Sequence, residues 1–150
     1  MTKPYAAFLG LALIAGCSPT TVQAGPASAQ VSARTPRDAA DAADRDVIAQ
    51  LKNNGSDVTK PVDVVYYLYI PSFTDAIELA RRSSVAGYRT SIEAPLGKLP
   101  NGTEEKRYSV VAHKRMIPSL ANARRARAFF QPLAHRFHGE YDGWEAAVTR

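Results

Sequence analysis

The chain has 150 residues, 45% of them hydrophobic and 22% charged, which suits one packed domain and excludes two sizeable cores. Its 19 basic and 14 acidic side chains give a formal net charge of +5. An excess that mild permits an acidic partner, an anionic membrane surface or nucleic acid and requires none of them.

The first stretch, MTKPYAAFLGLALIAGC, sets one positive charge at Lys3 ahead of a short apolar run from Tyr5 to Ile14 and then small residues. Such a run is too short to span a bilayer stably and has the layout of a secretory signal. Its end, Leu13-Ile14-Ala15-Gly16-Cys17, resembles a bacterial lipobox, which implies cleavage before Cys17 and lipid, palmitate included, on that residue. Cys17 is the only cysteine, and a lone thiol in an exported chain is otherwise an oddity. Once acylated, it leaves no disulfide, thiolate nucleophile or cysteine metal ligand. Position 18 is Ser, which by resemblance to enterobacterial sorting points to the outer membrane, facing the periplasm. Residues 18–34 are rich in Ser, Thr, Pro, Ala and Gly and carry too little large apolar surface to offset ordering entropy, so a flexible tether is expected there.

The folded part is expected over 35–150. Thr35 as N-cap, Pro36 at the first helical position and Asp38 three residues after the cap open a helix. Ala40, Ala43, Val47, Ile48 and Leu51 recur along it at helical spacing, and Gly55 stops it. The alternation of VDVVYYLYI predicts a strand over 62–70 with Val62, Val64, Tyr66, Leu68 and Ile70 on one face. Ser72 and Asp75 start a second helix with Phe73, Ile77 and Ala80 as its apolar stripe, ended by Gly87.

A strand over 88–94, a turn-rich loop with the hairpin signal Asn101-Gly102, and a return strand over 107–114 follow. A long helix comes next, with Leu120, Phe129, Phe130, Leu133 and Phe137 inward and Pro132 expected to kink or split it. A short last strand over 144–148 completes the chain. After the leading helix the order is β-α-β-β-α-β. That predicts an α+β, ferredoxin-like (split βαβ) fold, an antiparallel sheet with two helices on one face, preceded by an extra N-terminal helix.

EYDGW (140–144) holds the only tryptophan. Asp142 can bond a main-chain amide two residues on and Gly143 adopts positive φ cheaply, so a tight reversal after the last helix is expected. It would hold Tyr141 and Trp144 as rigid aromatics with polar tips. Two roles fit Tyr141, Asp142 and Trp144: fixing the last strand against the sheet, or anchoring a protein partner.

The helix running into NNGSD (53–57), the AGY (86–88) that opens the second strand and EYDGW after the last helix together resemble the ribonuclease E inhibitor family RraB, regulator of ribonuclease E activity B. The resemblance spans about residues 38–146, with EYDGW its most specific piece. It implies a regulator that acts by binding a protein, ribonuclease E, without catalysis or cofactor. The chain departs from the family in its export signal, since ribonuclease E is cytoplasmic, and in being net basic up to Arg150 where family members end in an acidic tail.

Other classes are weaker. His135 and His138, with Glu140 and Asp142 close by, have conceivable metal spacing, but two surface imidazoles at the end of a basic helix are the better reading. No nucleophile triad order, phosphate loop or glycine fingerprint occurs, so an enzyme is not expected. Tyr67 and Tyr69 would share the outer sheet face as in RNA-recognition motifs, yet RYSVVAHKR lacks the aromatic-glycine pattern of that third strand. Arg124, Arg125 and Arg127 read as the solvated face of a helix. The alternative binding role is a periplasmic lipoprotein that neutralises an envelope protein, an expectation drawn from compartment and charge.

Overall fold

The computed structural model describes residues 35–98 and 101–149. The expected signal over 1–17, the lipidation site Cys17 and the tether over 18–34 lie outside the described residues. In chain order the elements are α1 (Pro36–Asn53), β1 (Val62–Ile70), α2 (Phe73–Val85), β2 (Arg89–Glu93), β3 (Gly97–Lys98), β4 (Glu104–Glu105), β5 (Tyr108–Met116), α3 (Leu120–Arg136) and β6 (Glu140–Ala146).

β1 pairs antiparallel on both edges, with β5 and with β6. The four-stranded sheet runs β2-β5-β1-β6. With β1, β2, β5 and β6 taken as its four strands, this is the ferredoxin-like arrangement expected. α2 lies over β2 and β5, α3 over β6 and β1, and α1 packs against α3. β3 and β4 form a separate small hairpin whose loop contains Asn101 and Gly102. There the Asn101 side chain accepts from the Thr103 amide at 3.0 Å, and Gly102 has φ +85°.

The helix starts follow the sequence. The Thr35 hydroxyl accepts from the Asp38 amide at 3.2 Å, while the Asp38 carboxylate accepts from the Thr35 amide at 3.1 Å, a reciprocal capping box. Ser72 and Ser119 cap α2 and α3 in the same one-sided way, each accepting from the amide three residues on.

Helix faces differ from expectation. On α1 the buried residues are Asp41, Asp44 and Leu51, whereas Ala43 is exposed. Alanine carries too little surface to decide a helix's orientation, and a stronger interaction made by the two aspartates decides it. On α2 the buried set is Ala76, Leu79, Ala80 and Ser83, and Phe73 and Ile77 stand half-exposed. Small side chains let the helix approach the sheet closely, and Ser83 is tolerated inside because its hydroxyl donates to the Leu79 carbonyl at 2.9 Å. α3 runs as one helix through Pro132, without the expected split. Its Phe130 is fully buried, with ring centroids of Tyr66, Tyr88 and Tyr141 at 5.2, 4.8 and 5.8 Å.

The last strand is Glu140–Ala146 and not 144–148, so EYDGW is strand and not turn. Register slips between Tyr67 and Leu68: Leu68 faces Tyr141 and Tyr67 faces Gly143, leaving Asp142 as the extra residue of a β-bulge. Gly143 takes φ +134° there. The chain reverses earlier, over 137–139, where the Gly139 amide donates to the Ala134 carbonyl at 2.9 Å and His138 adopts φ +53°.

Gly139 is required by space. A Cβ at that position would overlap Ile70 Cδ1 and come within 2.5 Å of the Tyr69 carbonyl oxygen. Gly139→Ala is therefore expected to destabilise the domain by about 1–3 kcal/mol through overpacking. Urea unfolding followed by tryptophan fluorescence reads the change; an unaltered midpoint would contradict the close approach.

Candidate functional site

The residues singled out in EYDGW fall on two sides of the sheet. Tyr141 and Trp144 are half-buried on the helix-bearing face, packed against the core. The Tyr141 ring stacks on Phe130 at 5.8 Å, and burial pushes its phenol well above the usual tyrosine range. The Trp144 indole donates to Asp44 Oδ1 on α1 at 2.8 Å. Asp142 alone of the three is exposed, in the bulge.

Trp144 leads to a polar network that sequence reading missed. Asp44 Oδ2 accepts from Arg127 Nη1 at 2.8 Å, so both oxygens of a nearly buried carboxylate are used. Asp41 is 3% exposed and accepts from Arg124 Nε at 3.1 Å and Nη2 at 2.5 Å, and also from Arg127 Nη2. Arg124 first, then Arg127, hold the Asp41 carboxyl far below the usual carboxylate range against its burial. No buried side-chain nitrogen or oxygen among the described residues is left without a partner. Arg125 is exposed, as expected of a solvated face, but Arg124, itself half in solvent, and Arg127, only 16% exposed, fasten α3 to α1. A signal was present. Asp41 and Asp44 are spaced i, i+3, and so are Arg124 and Arg127, which lets two helices in register exchange two ion pairs. Beside this seam lies a cleft of about 360 Å³ faced by Arg37, Arg124, Arg127 and Gln131.

The opposite, helix-free face of the sheet carries Tyr67 and Tyr69, as the alternation of β1 requires. The Tyr67 hydroxyl donates to Glu145 at 2.6 Å. Arg107 lies over the Tyr69 ring, 4.9 Å from its centroid, and is held by Glu105 and Glu140. At the other end of the face Asp63 meets His113 Nδ1 at 3.0 Å and Arg89 at 3.5 Å. The tyrosines that could stack bases are therefore ringed by carboxylates, which repel a phosphate backbone.

His135 and His138 are both exposed. Among the described residues no group of three or more His, Asp or Glu stands close enough together to hold a metal ion. No described helix is long and apolar enough to cross a membrane.

Two consequences can be measured. Trp144→Phe keeps an aromatic ring but loses the donor to Asp44 and part of the packed indole surface, and is expected to cost about 1–3 kcal/mol in a chemical unfolding series. For pH, the Asp41 carboxyl is depressed in the folded state. Its stabilisation is complete above the unfolded carboxylate value of about 3.9 and is lost as pH falls toward the native value. Glu105, lowered to about 2 chiefly by Arg107, acts in the same direction. The melting temperature should fall on acidification from about pH 5 to pH 2. Asp41→Asn should flatten that dependence, and an equally steep profile in the variant would assign the acid sensitivity elsewhere.

No curated protein matches the chain. A family-level comparison matches residues 41–146 to RraB, described as regulator of ribonuclease activity B. That span opens at Asp41 of the buried network and closes at the end of β6, taking in all four strands of the sheet, α2, α3 and most of α1. With the greater part of its length inside that match, the chain belongs to the RraB family of regulators.

Proposed function

We propose that this domain regulates a ribonuclease of the ribonuclease E type by binding it in stoichiometric amounts, without catalysis. The match over 41–146 carries this reading, because it covers the whole sheet and both helices packed on it. In this reading the three residues of the EYDGW strand divide the work. Tyr141 and Trp144 hold β6 rigidly to the core and to α1, and Asp142 in the bulge meets the partner. Rigid strands and half-buried aromatics lower the ordering cost of association, which suits a protein that works by occupying a surface.

The lipobox-like Leu13-Ile14-Ala15-Gly16-Cys17 favours a second reading in which Cys17 carries lipid and the domain neutralises an envelope protein from the outer membrane. The two readings separate by compartment. Cell fractionation with mass analysis of the mature N-terminus comes first, followed by a cleavage assay with purified ribonuclease E. A soluble chain with an unmodified Cys17 that slows cleavage at near-equimolar ratio is the expected result for the first reading. An acylated Cys17 in the membrane fraction, with cleavage unaffected, would replace it with the second.

A further inference from the structure

On the helix-free face of the sheet the charges are segregated. Around Tyr69 stand Glu93 on β2 (across Ser109), Glu105, Glu140 and the bulge residue Asp142, with the cation Arg107 among them. This end of the face carries a formal excess of negative charge on a chain whose net charge is +5. Burial raises the Tyr69 phenol, and Asp142, Glu105 and Glu93 push it in the same direction against Arg107. Glu105 grips Arg107 through Nε at 2.9 Å and Nη2 at 2.7 Å, and Glu140 takes Nη1 at 2.9 Å. The domain's own arginine therefore displays what these surroundings accept: a guanidinium laid on an aromatic ring and forked by carboxylates. Next to it Gly143 faces Tyr67 across the sheet, and the space where its Cβ would stand is open.

We propose that the Tyr69 end of the open sheet face is the docking surface for an arginine- or lysine-rich extended segment of the protein partner, an inference that rests on reading this chain as a protein-binding regulator. Charge complementarity carries it. Glu93 and Asp142 supply negative charge beyond that used on Arg107, and the missing side chain at Gly143 lets an extended backbone lie close to the strands. The same carboxylates turn away nucleic acid and anionic lipid.

The test uses the full chain and a fluorescein-labelled hexa-arginine peptide, with hexaglutamate as its counterpart, read by anisotropy at about 0.1 M salt. Glu93→Gln combined with Asp142→Asn leaves the Arg107 and Tyr67 contacts in place. It should weaken hexa-arginine binding at least about fivefold. Asp46→Asn, an exposed carboxylate on α1, is the control for general charge and should change affinity by less than about twofold. An equal loss in the two variants, absence of saturable binding, or tighter binding of hexaglutamate each overturns the docking surface. Those failures leave the regulator reading standing, because slowed ribonuclease cleavage is measured separately and without these peptides.

Discussion

β1 is bonded along both edges, and its alternation, broken only by the buried Val65, divides the molecule into two chemistries. Val62, Val64, Tyr66, Leu68 and Ile70 lose nearly all contact with water under the helices, which supplies the main hydrophobic driving force for the sheet. The intervening residues, Asp63, Tyr67 and Tyr69 among them, are left on the side that no helix covers. A slip of one residue would exchange the two sets, so the register of β1 fixes both what the core contains and what the open face can bind. Even the bulge in β6 serves this division, since it allows Tyr141 and Trp144 to face the helices while Glu140, Gly143 and Glu145 face outward.

α1 is held by different physics. Its seam with α3 is built on buried carboxylates and guanidinium groups, where desolvation and Coulomb attraction nearly cancel. Such a contact contributes little net stability beyond an apolar seam of the same area, but it penalises every misaligned arrangement by stranding a charge. Asp41 and Asp44 face Arg124 and Arg127 in the same order along both helices, and the Trp144 indole adds a third element to the same carboxylate. The network thereby couples the position of α1 to that of the EYDGW strand. Arginine suits the role where lysine would not, because its planar fork serves two carboxylates at once.

This coupling gives the tryptophan a physical reason that a surface anchor would not need. Its ring packs at the sheet's edge and its one donor is spent on Asp44, so the aromatic pair of the motif stiffens β6 from behind. In the proposed docking, binding chemistry falls to the residues on the other side of the strand. A regulator that works by contact benefits from a surface already set in its bound shape.

Much of this architecture was legible in the chain. Alternation in VDVVYYLYI, the Thr35 and Ser72 caps and the helix stops at Gly55 and Gly87 are local signals, and each produced the element it announced. The family landmarks were legible for the same reason, being short runs of adjacent residues. Helix faces are less so: alanine is nearly neutral to orientation, and of the stripe expected on α2 only Ala80 is buried, while the larger Phe73 and Ile77 lie at its margin, because size alone does not decide burial. What the strand–turn distinction in EYDGW required was knowledge of the partner strand. Asp-Gly serves a turn or a bulge equally well, and only pairing with Tyr67 and Leu68 chose between them. The sequence by itself determined the elements, their order and the family. Tertiary structure alone decided that Asp41 and Asp44 are buried, that Arg124 and Arg127 answer them and that carboxylates gather around Tyr69, because each depends on charges distant in sequence being brought together by the packing of helices and strands.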